Sequence, residues 1–257
     1  MTVYLGTSGW QYGDWRERFY PKGVPQKSWL EFYAERFRCV ESNNAFYRLP
    51  ERKTFEDWAR RTPDDFLWAV KMSRYLTHIK RLKDPAEPVK RFLDHARGLR
   101  DKLGPILLQL PPNLRADLAL LERALKRFRG RERVAVEFRH ESWFVDEVRV
   151  LLEERGVALC LADRRSRPVS PMWRTADWGY VRLHEGAGSP HPCYGRASLE
   201  SWAERIGDLW EPGNDVFVFF NNDTLGCALR DVRVFRGALD RAGLTPTRAP
   251  RETVRAG

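Results

Sequence analysis

A single-domain (β/α)8 barrel of the TIM type is the fold this sequence predicts, and three observations carry that expectation. The chain has 257 residues, close to the ~250 typical of such barrels. Short runs rich in β-branched and aromatic residues alternate with longer stretches of helical spacing from one end to the other. The turn after the first run, Gly6-Thr7-Ser8-Gly9-Trp10, lacks the G-x-G-x-x-G arrangement that lets backbone approach a pyrophosphate. That absence counts against the rival doubly wound open sheet.

Taken in order, eight strands are expected: Val3 to Thr7, Cys39 to Asn43, Phe66 to Lys71, Ile106 to Leu110, Val134 to Arg139, Val157 to Leu161, Tyr180 to His184 and Val216 to Asn221. Helical periodicity runs through Gln26 to Phe37, Arg52 to Arg61, Val89 to Leu103, Leu118 to Phe128, Phe144 to Arg155, Leu199 to Leu209 and Ala228 to Ala242. Proline and glycine fall mostly between these segments, as at Pro21 to Pro25, Pro63, Pro85 to Pro88 and Pro111 to Pro112. Residues 1–244 are therefore read as the barrel. From Thr245 onward apolar periodicity is lost, and a flexible C-terminal tail is expected. No internal repeat is visible.

Hydrophobic residues make up 42% of the chain and ten are tryptophans, ample for one large core. The N-terminus enters an apolar run at once, without a basic lead or small-residue cleavage site, and no apolar stretch approaches the ~20 residues needed to cross a bilayer. The four cysteines, Cys39, Cys160, Cys193 and Cys227, show no CxxC pair, so a reducing, cytoplasmic setting is expected. Cys39 and Cys160 lie in apolar segments and read as small core packers. A net charge of +10 favours a polyanionic partner such as nucleic acid. The arginines are dispersed, however, and a compositional bias would produce the same excess.

In such barrels the site is built from inward side chains at the strand C-termini, and alternate residues of a strand face opposite sides. In the fifth strand Ala135, Glu137 and Arg139 share one parity, while Val134, Val136 and Phe138 suit the layer under the helices. Glu137 and Arg139 should point inward. By the same rule Glu41 and Asn43 end the second strand, Lys71 the third, Gln109 the fourth, and Arg182 and His184 the seventh. Asp163 falls just beyond the sixth strand, and Asn221, Asn222 and Asp223 close the eighth.

This is a ring of carboxylates able to act as acid, base or metal ligand, interspersed with cations able to hold an anion. Glu137, Glu41, His184 and Asp163 are the candidate catalytic groups. Arg139, Arg182, Lys71, Asn43, Gln109, Asn221, Asn222 and Asp223 are candidate substrate ligands, with Trp10 and Tyr47, along with Tyr12, as stacking platforms. The blander account is that opposite charges neutralise one another in the mouth, and that the aromatics pack loops. A barrel needing only stability would fill these layers with branched apolar side chains.

Glu41, Glu137, Asp163 and Asp223 could also take magnesium or manganese, which accept scattered carboxylates. Zinc is disfavoured, because His78, His140 and His184 stand on different elements without metal spacing. Ser8 and Ser42 lie near strand ends, but no G-x-S-x-G elbow occurs. His78 in LTHIK reads either as catalytic or, at least as readily, as a histidine capping or linking a loop, and His140 reads as outward and structural.

Several of these segments together resemble the YecE-like family, domain of unknown function seventy-two. They are GTSGWQYGDW at Gly6 to Trp15, FYP at Phe19 to Pro21, VESNNAFYRLP at Val40 to Pro50 and VKMSRYLTH at Val70 to His78. Further along come ILLQLPP at Ile106 to Pro112, AVEFRHESW at Ala135 to Trp143, YVRLH at Tyr180 to His184 and VFVFFNND at Val216 to Asp223. The resemblance implies a TIM-type barrel similar in shape to barrels acting on abasic DNA and to sugar isomerases, and it supplies no reaction. Two departures stand out: His184-Glu185-Gly186, where the family more often has histidine followed directly by glycine, and Cys193-Tyr194-Gly195, where it tends to have tyrosine followed by serine.

The leading functional expectation is a hydrolase or lyase acting on a phosphorylated substrate or nucleic acid, with Arg139, Arg182 and Lys71 on phosphate and Glu137 as general base or metal ligand beside Glu41. The alternatives are a non-catalytic module binding nucleic acid or phosphate, and a sugar isomerase or epimerase using a divalent metal.

Overall fold

The computed structural model describes residues 1–129 and 132–250. Ten strands and eight α-helices alternate along them: β1 (Thr2–Thr7), α1 (Trp29–Arg36), β2 (Cys39–Ser42), α2 (Asn44–Tyr47), α3 (Arg52–Arg60), β3 (Leu67–Lys71), α4 (Ala86–Ala96), β4 (Leu103–Gln109), α5 (Leu118–Leu125), β5 (Val134–Glu137), α6 (Asp146–Glu154), β6 (Ala158–Arg164), β7 (Arg167–Pro168), β8 (Gly179–Leu183), α7 (Arg196–Leu209), β9 (Asp215–Phe220), α8 (Cys227–Arg241) and β10 (Thr245–Pro246). All eight expected strands and all seven expected helices are present. Sequence periodicity missed α2, a single turn at the end of β2. It also missed β7, which doubles back antiparallel on β6.

Nine strands lie on one path, β10-β1-β9-β8-β6-β5-β4-β3-β2, with parallel pairing throughout. The result is a single α/β domain around a curled parallel sheet. Where the curl would close, β1 and β2 touch at one parallel bridge between Ser8 and Glu41 rather than along a ladder. The expectation of a completely closed barrel is met only to this extent.

The reason is local. The Tyr33 hydroxyl of α1 accepts from Thr7 N at 3.1 Å and lies 3.2 Å from Cys39 O, to which it donates. A side chain thus serves backbone groups that a ladder would use. Gly6 permits the approach, since a Cβ there would stand 2.7 Å from Cys39 O.

Strand parity sorts the core into two layers. Val3, Val40, Val70, Leu108, Val136, Leu161, Val181 and Val218 face the helices, while Tyr4, Cys39, Ala69, Leu107, Ala135, Cys160, Tyr180, Phe217 and Phe219 fill the inside of the curl. Burying each large apolar side chain contributes about 1.5–3 kcal/mol. An aromatic cluster clamps the 9–21 loop onto α1, with Tyr20 stacked on Trp29 at 4.2 Å and Tyr33 on Phe37 at 4.4 Å. Cys39 and Cys160 are buried and free, as read from the sequence.

Two expectations need correction. The chain from Thr245 does not fray at once: β10 pairs with β1, Thr247 Oγ1 accepts from Leu5 N, and Arg248 holds both oxygens of Asp65 at 3.0 Å. The rest of that expected tail, residues 251–257, lies outside the described residues. Cys193 and Cys227 form a disulfide across 34 residues, tying the segment before α7 to the start of α8. The spacing gave no sign of it, because the two meet only once α7 and α8 pack side by side. No helix among the described residues is long and apolar enough to cross a membrane.

Candidate functional site

Inside the strand C-terminal end, the polar residues of four strands, β2, β4, β5 and β8, meet in one buried network. Arg182 on β8 is its centre, donating from Nη1 to Glu137 Oε2 and from Nη2 to Glu41 Oε1, each at 2.7 Å. Tyr180, two residues earlier and on the same face, donates its hydroxyl to Glu41 Oε2 at 2.6 Å. Gln109 on β4 donates to Glu137 Oε2 at 2.9 Å. Burial pushes against ionisation of Glu41, yet Arg182, Tyr180 and Lys71 leave its carboxyl below the usual range. Burial likewise opposes Glu137, and Arg182, His184 and Arg139 overcome it, holding that carboxyl well below the usual range.

A second tier rises toward solvent. Arg139, two positions past Glu137, turns back so that Nη2 lies 2.5 Å from Glu137 Oε1 with 29% of its side chain exposed. His184 Nε2 lies 2.9 Å from the same oxygen and 3.1 Å from Arg139 Nη2. Its Nδ1 faces Asn221 Nδ2 at 3.0 Å. One ring nitrogen thus faces a carboxylate and a guanidinium, and the other an amide. Burial outweighs the attraction of Glu137 and lowers the His184 pKa, so the imidazole is neutral at physiological pH.

Glu137 therefore accepts from Gln109 and Arg182, pairs with Arg139 and touches His184. Both of its oxygens thus face protein groups.

Lys71 closes the ring from β3. It is 8% exposed, and its Nζ stands 4.0 Å from the centroid of the Phe46 ring on α2. No ion pair or hydrogen bond engages Nζ among the described residues. Burial, with the adjacent charge of Arg182, brings its pKa down to about 8. Beyond it, His78 meets Phe46 edge to face at 4.9 Å and bonds Thr77 Oγ1 through Nδ1 at 2.8 Å. Burial and the charges of Lys71, Arg74 and Arg139 lower the His78 pKa. Tyr47, 73% exposed, stands beside Phe46 on the same turn. Asn43 is half-buried, and its Oδ1 has no partner among the described residues.

Other sequence candidates belong elsewhere. Asp163 shares parity with Leu159 and Leu161 and points under α7, where Tyr194 donates to Oδ1 at 2.6 Å and Trp202 to Oδ2 at 2.9 Å. The short strand expected there ended at Leu161; the real one continues to Arg164, and parity carried through it turns Asp163 outward. Asn222 also faces outward, bonding Pro192 O and Asp231 Oδ2 at 2.8 Å each.

Trp10 is no platform. It is 2% exposed and lies edge-on to Trp58 and Trp68, at 5.4 and 5.2 Å. Tyr12 is half-buried, and its hydroxyl donates to Ser8 O. Asp223 is half-buried, its pKa raised by burial and by Asp14. His140 is structural as expected, accepting from Ser142 N.

The sequence reading overlooked Tyr180 and Phe46. Tyr180 was detectable, since it shares the parity of Arg182. Phe46 was not, because it reaches the site only through the unforeseen turn α2.

The donor set does not converge on a cation. Both oxygens of Glu41, Glu137 and Asp163 are occupied by protein donors, and no group of three or more histidine, cysteine, aspartate or glutamate residues among the described ones is arranged to hold a metal ion. The magnesium or manganese site considered from the sequence finds no support in this geometry.

The fold and site define an α/β protein with a curled parallel sheet and a charged cluster at its strand ends. Residues 4–254 match the family model described as "Protein of unknown function DUF72", and the chain belongs to that family. It is 26% identical to the UPF0759 protein YunF of Bacillus subtilis, over 95% of this chain and 98% of that one. It is 31% identical to the UPF0759 protein YecE of Escherichia coli over 173 residues, 65% of this chain and 60% of that one. A crystal structure of a DUF72 family protein from Thermotoga maritima superposes with a TM-score of 0.80 at 28% identity, covering 93% of this chain and all of that one. One from Enterococcus faecalis, at 19% identity, shares the fold with a TM-score of 0.77 over 93% of this chain and 95% of that one.

Proposed function

We propose that the protein is an enzyme, of the hydrolase or lyase type, acting on a phosphate-bearing substrate at the strand C-terminal mouth of a (β/α)8-like barrel. The observation that carries this reading is Arg139. It is the cation of the cluster that reaches solvent, held at 2.5 Å from Glu137 Oε1 with 29% of its side chain exposed. Its remaining donors can take an anion in the planar fork that guanidinium offers phosphate. Lys71 adds positive field beside it while protonated, and the two buried carboxylates are already balanced by Arg182.

His184 supplies the acid–base function. It is neutral, adjacent to Arg139, and aimed by a carboxylate on one nitrogen and an amide on the other. Glu137 and Asn221 position it, and a substrate that displaces Asn221 gains access to Nδ1. The exposed ring of Tyr47 and the net charge of +10 favour a nucleic-acid strand as carrier of the phosphate.

The test is a titration with inorganic phosphate, glycolaldehyde phosphate and single-stranded, duplex and abasic oligonucleotides over a salt series, followed by product analysis. Binding lost in Arg139→Ala, with turnover lost in His184→Gln, supports the reading. Unchanged phosphate affinity in Arg139→Ala sinks it.

A further inference from the structure

We propose that Lys71 is the covalent nucleophile of this site, its ε-amine condensing with an aldehyde or ketone carbonyl of the phosphate-bearing substrate to form an imine. This inference rests on the phosphate reading above and narrows it, making the substrate a phosphorylated carbonyl compound, such as an open-chain sugar phosphate or an abasic deoxyribose, and the reaction lyase-like.

Elimination among the charged groups of the ring points to Lys71. Glu41 accepts from Arg182 and Tyr180, while Glu137 accepts from Gln109 and Arg182, pairs with Arg139 and touches His184. The nitrogens of His184 face Glu137 and Asn221. Of the charged side chains in the ring, Lys71 is the one whose head group has neither a hydrogen bond nor an ion pair among the described residues, Nζ being set instead on the face of Phe46.

A lysine kept only for charge would sit against Glu41 or Glu137, its neighbours in the same ring, as Arg182 does. A lysine that must present a neutral amine is instead desolvated beside other cations, which describes Lys71 with Arg182 and Arg139. The last inward position of β3 also aims it at the mouth, where Arg139 is placed to hold the phosphate.

The step balances without an oxidant or reductant. The Nζ lone pair attacks the carbonyl carbon and the C–N bond forms. The C=O π pair moves onto oxygen, and the proton that the attacking nitrogen sheds passes to that oxygen, giving a neutral carbinolamine. The hydroxyl then takes a proton from solvent at the mouth, the C–O bond breaks, and it leaves as water. The nitrogen lone pair then forms the C=N bond of a protonated imine.

The test is reductive trapping: incubation with glycolaldehyde phosphate and cyanoborohydride, then peptide mapping by mass spectrometry. The expected result is label at Lys71 at least about tenfold faster than at exposed lysines such as Lys22 and Lys53. It should be suppressed by inorganic phosphate, reduced in Arg139→Ala and absent from Lys71→Met. The rate should climb with a midpoint near pH 8, where a free lysine would still be charged.

Labelling of Lys71 no faster than Lys22, while phosphate still binds in an Arg139-dependent way, overturns the imine and leaves the phosphate site standing. Absence of phosphate binding overturns both.

Discussion

Arg182 and Glu137 meet at 2.7 Å between Nη1 and Oε2, with the arginine side chain 1% exposed and the glutamate fully buried. The other arm of the same guanidinium holds Glu41, equally buried and at the same distance. One cation thus neutralises two carboxylates that would otherwise repel each other in a medium of low polarity. Removing Arg182 leaves two buried charges without their main counterion, whereas removing all three leaves none.

Arg182→Met should therefore cost about 3–5 kcal/mol of folding stability, read as a fall in the denaturant midpoint at constant slope. The triple change Arg182→Met, Glu41→Gln and Glu137→Gln should recover most of it. A triple variant no more stable than the single one would show that the arginine acts by packing rather than by charge.

Much of this network was legible because strand parity is a property of the backbone. Glu41, Lys71, Gln109, Glu137 and Arg182 all fall on the face shared by Cys39, Ala69, Leu107, Ala135 and Tyr180, and period-two counting finds them. Counting fails where a strand is longer than its apolar run, as at Asp163. It fails too where a contact depends on irregular chain, as with Phe46 on the turn α2. The Cys193–Cys227 disulfide and the Tyr33 hydroxyl between β1 and β2 are set by the docking of helices, which local pattern does not encode. Trp10 illustrates a different ambiguity. A tryptophan at a strand end suits a stacking surface or a loop anchor equally, and the presence of Trp58 and Trp68 decides for the anchor.

Asp163 should behave as a structural residue. Tyr194 and Trp202 both direct buried donors at it, and each orphaned donor costs about 1–3 kcal/mol. Asp163→Ala should thus lower stability by about 2–5 kcal/mol while phosphate affinity, measured calorimetrically on the folded protein, stays within error. A selective loss of phosphate binding would return Asp163 to the site.

Arg139 should show the opposite separation. Its partner Glu137 is buried but keeps Arg182 as main counterion, so Arg139→Ala should lower stability by only about 1–2 kcal/mol, well short of the loss in Arg182→Met. Losing a charged hydrogen-bond donor to phosphate should weaken binding about 10- to 100-fold. Arg139→Lys should restore only part of the affinity, since an ammonium keeps the charge but not the fork. Full restoration by lysine would mean that charge alone holds the anion.

Lys71 gives the prediction with a distinctive pH signature. Its folded pKa of about 8 lies below the 10.5 of a free lysine, so the unfolded chain binds more protons between those values. The stability associated with this group is fully present above pH 10.5 and is lost as the pH falls through 8. At pH 7 the folded protein carries a charge its surroundings disfavour, at a cost of up to about 3 kcal/mol. Lys71→Met keeps the length and apolar character of the stem and removes that charge. It should stabilise the protein by about 1–3 kcal/mol at pH 7, and the gain should shrink steadily as the pH rises through 8 toward 10.5. Urea denaturation of both proteins at pH 7 and pH 10 measures it. A gain of equal size at both values would trace the effect to packing against Phe46, whereas a gain confined to the lower pH marks an amine that the fold keeps close to neutral at the expense of its own stability.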